Sequence, residues 1–372
     1  MSDFKVITGP QGGRIILDGK EMVNMAANNY LGLANHPKIV QAAKDALDEY
    51  GLGAGAARGI VGNFKPHEEL EEKLAKFKGV EAVSIFNSGL TANIGAIPLL
   101  IGKGDDVFSD ELNHASIIDG IRLSKANVHA FPHMDMQALE EMLKGSTAEN
   151  KLIVTDAVFS MDGDLAPVPE IVELGKKYNA KVMIDDAHGD GVMGPHGRGT
   201  VDHFDVRDGV FVETGSLSKG FGCAGGFVAG DREFIDKVNK QARSFIFTAT
   251  PEQVCMAAAA VAAIDLLEES DELVKKLWDN REYFLEKIQA LGFDTRTTQT
   301  PIIPVMTYDE DKAKELSAAL FETGVFAQSI AYPVVPIGQA RLRVMVSAAH
   351  SKEDLDEALA GFEKAAKELG II

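Results

Sequence analysis

The sequence predicts an α/β protein, with a mainly parallel sheet covered by helices and a smaller α+β unit after it. Three observations predict this. Across residues 66–230, short apolar runs alternate with stretches whose apolar positions recur at helical spacing. After residue 250 that texture changes to a long helical tract followed by isolated short runs between helices. At 372 residues the chain also exceeds one simple core, so two or three packed units are expected.

Taken in order, "GRIILDGKEMVNMAANNYLGL" reads as a short hairpin and then an irregular segment. "PKIVQAAKDALDEY" and "PHEELEEKLAKF" read as helices, each with proline in its first turn. "AVSIF", "KLIVTD", "KVMID" and "GVFVE" are short, apolar and rich in β-branched or aromatic residues, the pattern of strands buried on both faces. The tract 251–291 is expected to be helical. "TPIIPVM", a helix near 310–323, "RLRVMVS" and a last helix near 351–368 complete the smaller unit. The expected divisions are an N-terminal segment 1–35, a large domain 36–265 and a small domain 266–372.

Composition narrows the function. Lys and Arg total 37 against 56 Asp and Glu, a net charge of −19. A chain this acidic has no basic face for nucleic acid or an anionic membrane. Two cysteines, Cys223 and Cys255, do not make a disulfide framework, so a reducing, cytoplasmic setting is expected. The N-terminus has no apolar signal core. The longest apolar run, "VCMAAAAVAAI" at 254–264, is too short to span a bilayer and reads as a buried helix.

Four stretches carry chemistry. In "VMIDDAHGDGVMG" a strand ends in Asp185, with His188 three residues on. Ligands of open α/β sheets sit beyond the carboxyl ends of the strands, where Asp185 could hold a proton on a ligand nitrogen or simply cap a turn. "GVFVETGSLSK" brings Ser216 and Lys219 to the same edge. A lysine among small residues there is either a Schiff-base former or a solvated loop residue. In "AVSIFNSGLTANIGAI", Ser88, Gly89 and Leu90 open a helix, where free amides and the macrodipole suit a phosphate. In "ELNHASIIDGIRL", His114 stands in the first turn of a helix, to stack on a flat ligand or to cap its own helix. "GFGCAG" matches G-x-G-x-x-G, but the apolar "GFVAG" after it reads as a strand. A dinucleotide fingerprint needs a helix there, so the match is rejected. His129, His133, His188 and His196 lack the patterned partners of a metal site.

Together these stretches resemble the fold-type I pyridoxal-phosphate enzymes, and within them the α-oxoamine synthases. The resemblance runs over nearly the whole chain, through "ANNYLGLANHP", "LNHASIIDGIRL", "VFSMDGDLAP", "DDAHGDGVMG", "TGSLSKGFG" and "YPVVPIGQARLRVMVSAAH". It implies a mainly parallel seven-stranded sheet, pyridoxal 5'-phosphate as cofactor and a homodimer with the active site at the interface. It implies that Lys219 holds the cofactor covalently, that Asp185 faces the ring nitrogen and that His188 and Ser160 contact the phenolic oxygen. His114 would stack on the ring. Ser88, Gly89, Leu90 and Ser216 would surround the phosphate, with Thr248 contributed from the partner subunit. Asn28 and Arg343 match the residues that hold an amino acid carboxylate. Three motifs point to the glycine C-acetyltransferase branch, hence glycine and acetyl-CoA as expected substrates.

Some positions depart from that branch. "NSGLTAN" lacks a cysteine and phenylalanine after the serine, and "DDAHG" has alanine where the branch has serine, as in the oxononanoate and aminolevulinate enzymes. "FTATPEQ" lacks a serine–leucine–proline run. One alternative is 8-amino-7-oxononanoate synthase chemistry on L-alanine and pimeloyl-CoA with decarboxylation. A threonine aldolase-type lyase and a non-catalytic subunit are others, the last opposed by the presence of Lys219. Arg58 in "GLGAGAARGIVGN" either borders the site or only marks a tight chain path.

Overall fold

A computed structural model describes residues 4–248 and 252–372. Its strands, in chain order, are β1 (Arg14–Leu17), β2 (Lys20–Asn24), β3 (Ala82–Phe86), β4 (Asp106–Asp110), β5 (Asn127–Phe131), β6 (Lys151–Asp156), β7 (Lys181–Asp185), β8 (Val212–Ser216), β9 (Gly226–Gly230), β10 (Ile302–Tyr308), β11 (Val325–Phe326), β12 (Gln328–Ile330) and β13 (Ala340–Met345). The chain divides into two compact units. The larger comprises Pro37–Phe159 and Leu165–Asp271; the smaller comprises the residues through His36, Ser160–Asp164 and Glu272–Ile372.

The larger unit is built on a seven-stranded sheet in the order β3-β9-β8-β7-β6-β4-β5. Only β9 runs against its neighbours; the other pairings are parallel. Every residue of β3, β4, β8 and β9 is buried. Burial on both faces is why β3 and β9 read as short apolar runs rather than alternating ones. Side chains still alternate between two cores: Leu152 and Val154 pack with Ile97, Ile121 and Val228, while Ile153 packs with Phe108, Val182 and Ile184. The strand expected at "GVFVE" starts later, at Val212. Arg207–Gly209 form a tight turn, and the Phe211 N–H joins the carbonyl of Val182 at 2.9 Å just ahead of the ladder. Strands β4 and β5 have no clear sequence signal. β5 is a largely exposed edge, and β4 is bounded by Asp106 and Asp110.

The helical tract expected over 251–291 is two helices, Val254–Glu269 and Glu272–Ala290, broken where Ser270 is extended. The alanine-rich helix Val254–Glu269 packs against Pro37–Tyr50 and Lys65–Lys78. Its small side chains permit close approach of the neighbouring backbones.

In the smaller unit, β10, β13 and β12 form an antiparallel sheet, and β1, β2 and β11 form a second. Val23, Phe284, Ile303, Leu316, Leu342 and Phe362 share its core. The helix Lys352–Glu368 opens with a capping box between Ser351 and Asp354, in which each side chain accepts from the other's backbone N–H, at 3.1 and 2.8 Å. Ser160–Asp164 is stitched into this unit. The Arg341 guanidinium donates to the carbonyl of Met161 at 3.1 Å and to the Asp162 carboxylate. Gly163 is needed here: its φ is +73°, and a Cβ would fall 2.2 Å from the carbonyl oxygen of Ile302. Among the described residues, no helix is long and apolar enough to cross a membrane.

Candidate active site

The chemistry-bearing residues of the larger unit collect where the sheet topology sends strand ends to one edge. Asp185 is the last residue of β7, and buried His188 follows it. Ser216 ends β8, and Lys219 lies in the turn beyond. Asp156, which sequence reasoning passed over, ends β6 directly beside Asp185 in the parallel register. Burial and the adjacent Asp185 charge push the Asp156 carboxyl well above its ordinary range. The His114 N–H, bonded to it at 2.6 Å, and the nearby Lys219 charge pull the other way.

Asp185 is held firmly. Its Oδ1 accepts the N–H of Ala187 at 3.0 Å and its Oδ2 accepts the side-chain amide of Asn93 at 2.6 Å. Asn93 is 1% exposed, in the helix Gly89–Leu100. Past Thr91 in the first turn it is the one polar side chain of an otherwise apolar helix, a signal that sequence reasoning could have used. His114 caps the helix Ala115–Ser124, its Nδ1 accepting the Ser116 N–H at 3.2 Å. The capping role that the sequence left open is therefore real. The residue is otherwise exposed.

Ser88 caps Gly89–Leu100, accepting the Thr91 N–H at 3.2 Å, and Leu90 is half exposed on its first turn. The turn lies against β9: Ser88 bridges Gly225, and a Cβ on Gly226 would come within 2.4 Å of the Gly89 nitrogen. A Cβ on Gly89 would instead sit 3.6 Å from the Ser216 Cβ, so the glycine leaves a cradle between helix start and β8. The Ser216 hydroxyl, paired with that of Ser218 at 2.7 Å, borders it. A helix N-terminus, two hydroxyls and a side-chain-free wall suit a phosphate. A carboxylate at the next strand end suits a pyridinium nitrogen. The donor set fits pyridoxal phosphate. "GFVAG" is β9, a strand as expected, so the neighbouring glycine pattern is not a dinucleotide loop.

In the smaller unit, Arg343 on β13 donates through Nε to the carbonyl of Ser160 at 2.5 Å, and through both terminal nitrogens to the Asn28 Oδ1 at 3.2 Å. Arg343, Asn28 and Ser160 are thus brought together, with most of the guanidinium fork aimed at one weakly basic amide oxygen. Thr248 is described, but residues 249–251 of "FIFTATP" lie outside the described residues. Arg58 pairs with Glu71 and donates to Asn63 at 2.8 Å, and a Cβ on Gly62 would meet the carbonyl of Ala56 at 1.9 Å.

Behind the strand ends lies a charge cluster that the sequence concealed. Lys78, with a fully buried side chain, meets Asp190 at 2.6 Å, Asp186 at 3.6 Å and Glu213. Arg207 bonds Glu213 at 2.5 Å, and Thr200 donates its hydroxyl to Asp186 at 2.8 Å. Burial pushes the Asp190 carboxyl up to about 7 against the pull of Lys78. A Cβ on Gly220, next to Lys219, would lie 2.2 Å from the Asp190 carbonyl oxygen. The cluster therefore backs both loops that carry Asp185 and Lys219.

Residues 20–362 match the family described as Aminotransferase class I and II, and the chain belongs to it. It is a fold-type I enzyme of α-oxoamine synthase type, and its cofactor is pyridoxal phosphate. It is 55% identical over 370 residues to the 8-amino-7-oxononanoate synthase of Thermosipho melanesiensis, covering 99% of this chain and 94% of that one. The Thermoanaerobacter pseudethanolicus protein of the same name is 54% identical, with 99% and 93% covered. A solved structure of SPT with PLP is 32% identical, with 99% and 94% covered and a TM-score of 0.96. These relatives overturn the expectation of a glycine C-acetyltransferase.

Proposed function

We propose that the chain is an 8-amino-7-oxononanoate synthase, joining L-alanine to the acyl group of pimeloyl-CoA with release of CoA and CO₂. The single observation that carries this is 55% identity over 99% of the chain to an enzyme of that name. The strand-end constellation of Lys219, Asp185 and His114 supports the catalytic part of the reading.

Pyridoxal phosphate supplies an aldehyde that captures amines and a ring that accepts the electron pair left at Cα. The chain's own residues do the rest. Lys219 would hold the aldehyde through its amine, and as a free amine it would serve as the general base for the alanine Cα proton. Asp185, fixed by Asn93 and the Ala187 N–H, keeps a proton on the ring nitrogen. Arg343 and Asn28 bind the alanine carboxylate, replacing a single shared amide oxygen with a two-pronged ion pair. Ser160 and His188 serve the phenolic oxygen, and Ser88, Gly89, Leu90 and Ser216 the phosphate. Thr248 completes the phosphate site from a second copy. That copy is fitted by the exposed Leu52, Ile60 and Val61, which are 75–82% exposed. A homodimer working in the cytoplasm is the corresponding assembly.

The test is CoA release by the purified protein with alanine or glycine against pimeloyl-, propionyl- and acetyl-CoA. The expected preferred pair is alanine with pimeloyl-CoA, with one CO₂ per CoA. A clear preference for a short acyl donor without CO₂ release would refute the reading.

A further inference from the structure

Hydrogen bonds connect Asp185 to His114 without a break, and chemistry sets the direction of each. A carboxylate has no hydrogen to give, so Asn93 must turn its NH₂ toward the Asp185 Oδ2, at 2.6 Å. The second hydrogen of that NH₂ goes to the Ser116 Oγ, at 2.9 Å. The Asn93 Oδ1 takes the Thr214 hydroxyl hydrogen at 2.8 Å, which fits the same orientation. Ser116, having accepted from Asn93, donates its one hydroxyl hydrogen to the His114 Nδ1, at 2.7 Å. The Ser116 backbone N–H reaches the same nitrogen at 3.2 Å. Nδ1 receives two donors and so carries no hydrogen of its own. The ring hydrogen is left on Nε2.

Asn93 and Ser116 are each 1% exposed, so water does not compete for the bonds that join them to each other and to Asp185. The polar atoms are desolvated, and a reversed link would face like against like. We propose that Asn93 and Ser116 are positioning residues that aim the Asp185 carboxylate and lock His114 as its Nε2–H tautomer, making the ring-nitrogen partner and the ring-stacking wall one rigid unit. The functional half of this rests on the reading that Asp185 and His114 flank the cofactor ring. The tautomer half does not.

The test uses full-length protein labelled with [¹⁵N]histidine, with and without cofactor, and His114 assigned by a His114→Asn variant. His114 is expected to show a bare Nδ1 and a protonated Nε2 in both forms. Ser116→Ala keeps the backbone N–H on Nδ1 and removes only the hydroxyl donor, so a minor Nδ1–H form should appear, and Ser116→Thr should suppress it. Asn93→Leu, loaded with ring-¹⁵N pyridoxal phosphate, should move the ring nitrogen signal toward its unprotonated position. Its kcat should fall ~10–100-fold with KM for the amino acid within about twofold, the usual cost of losing a partner behind a ligating group. Should Asn93→Leu not fold, Asn93→Ser carries the same measurement. A protonated Nδ1 on His114 in the parent protein, or an unmoved ring nitrogen in the Asn93 variant, overturns the proposal. The cofactor-free tautomer result stands whatever reaction the enzyme runs, so failure of the proposed function leaves it separately readable.

Discussion

Replacing Lys78 with methionine keeps the length of the side chain and removes its charge. The ammonium lies 2.6 Å from Asp190 and 3.6 Å from Asp186. At an effective dielectric of about 20 these contacts amount to roughly 6 and 5 kcal/mol of gross attraction. Much of that is offset, because the buried amine no longer has to be desolvated and the abandoned carboxylates take up protons. Glu213 keeps Arg207. A net loss of about 3–5 kcal/mol is expected, the range for removing one partner of a buried ionic group. Urea denaturation at pH 8, followed by tryptophan fluorescence and circular dichroism, measures it as a shift in midpoint at constant slope. The cost should shrink toward pH 5, where the carboxylates accept protons more cheaply. Adding Asp186→Asn and Asp190→Asn to the methionine variant should recover most of the loss. A Lys78→Met protein within about 1 kcal/mol of the parent would refute the assignment of this charge as the hub of the cluster.

Asp190→Asn tests the same cluster by pH. Burial raises this carboxyl from 3.8 to about 7 in the folded state, so the proton favours folding. That contribution is full below pH 4 and is lost as pH rises through about 7, and the asparagine variant should flatten this part of the stability–pH curve. Lys219→Ala should abolish turnover and the visible absorbance of covalently held cofactor, and a fully active variant would remove Lys219 from its role. Arg343→Lys should raise KM for alanine about tenfold with a smaller effect on kcat, since an ammonium cannot match a carboxylate with two parallel bonds. Gly226→Ala should weaken cofactor retention in dialysis, because its Cβ would fall 2.4 Å from the Gly89 nitrogen and push the phosphate turn off β9.

Most helices, the buried strands apart from β4, the strand-end positions of Asp185 and Ser216, and the helix start at Ser88 and Gly89 were legible in the sequence. Each depends on periodicity or on a local turn, which a few neighbouring residues determine. The edge strand Asn127–Phe131 was not legible, because an exposed edge has no need of an apolar run. Nor was the Lys78 cluster. In "EEKLAKFK" this lysine looks like its solvated neighbours, and only the approach of β7, β8 and the 186–190 loop, from more than a hundred residues away, buries it. Asn93 and Ser116 became site residues for the same reason: a hydrogen bond between residues 93 and 185 requires the sheet order, and no local pattern encodes it. What the sequence determined by itself was the order of most elements, and, through its resemblance to the fold-type I enzymes, the cofactor chemistry. What only the tertiary structure decided was how that chemistry is held in place, because desolvation and hydrogen-bond direction exist only once distant segments have closed around each other.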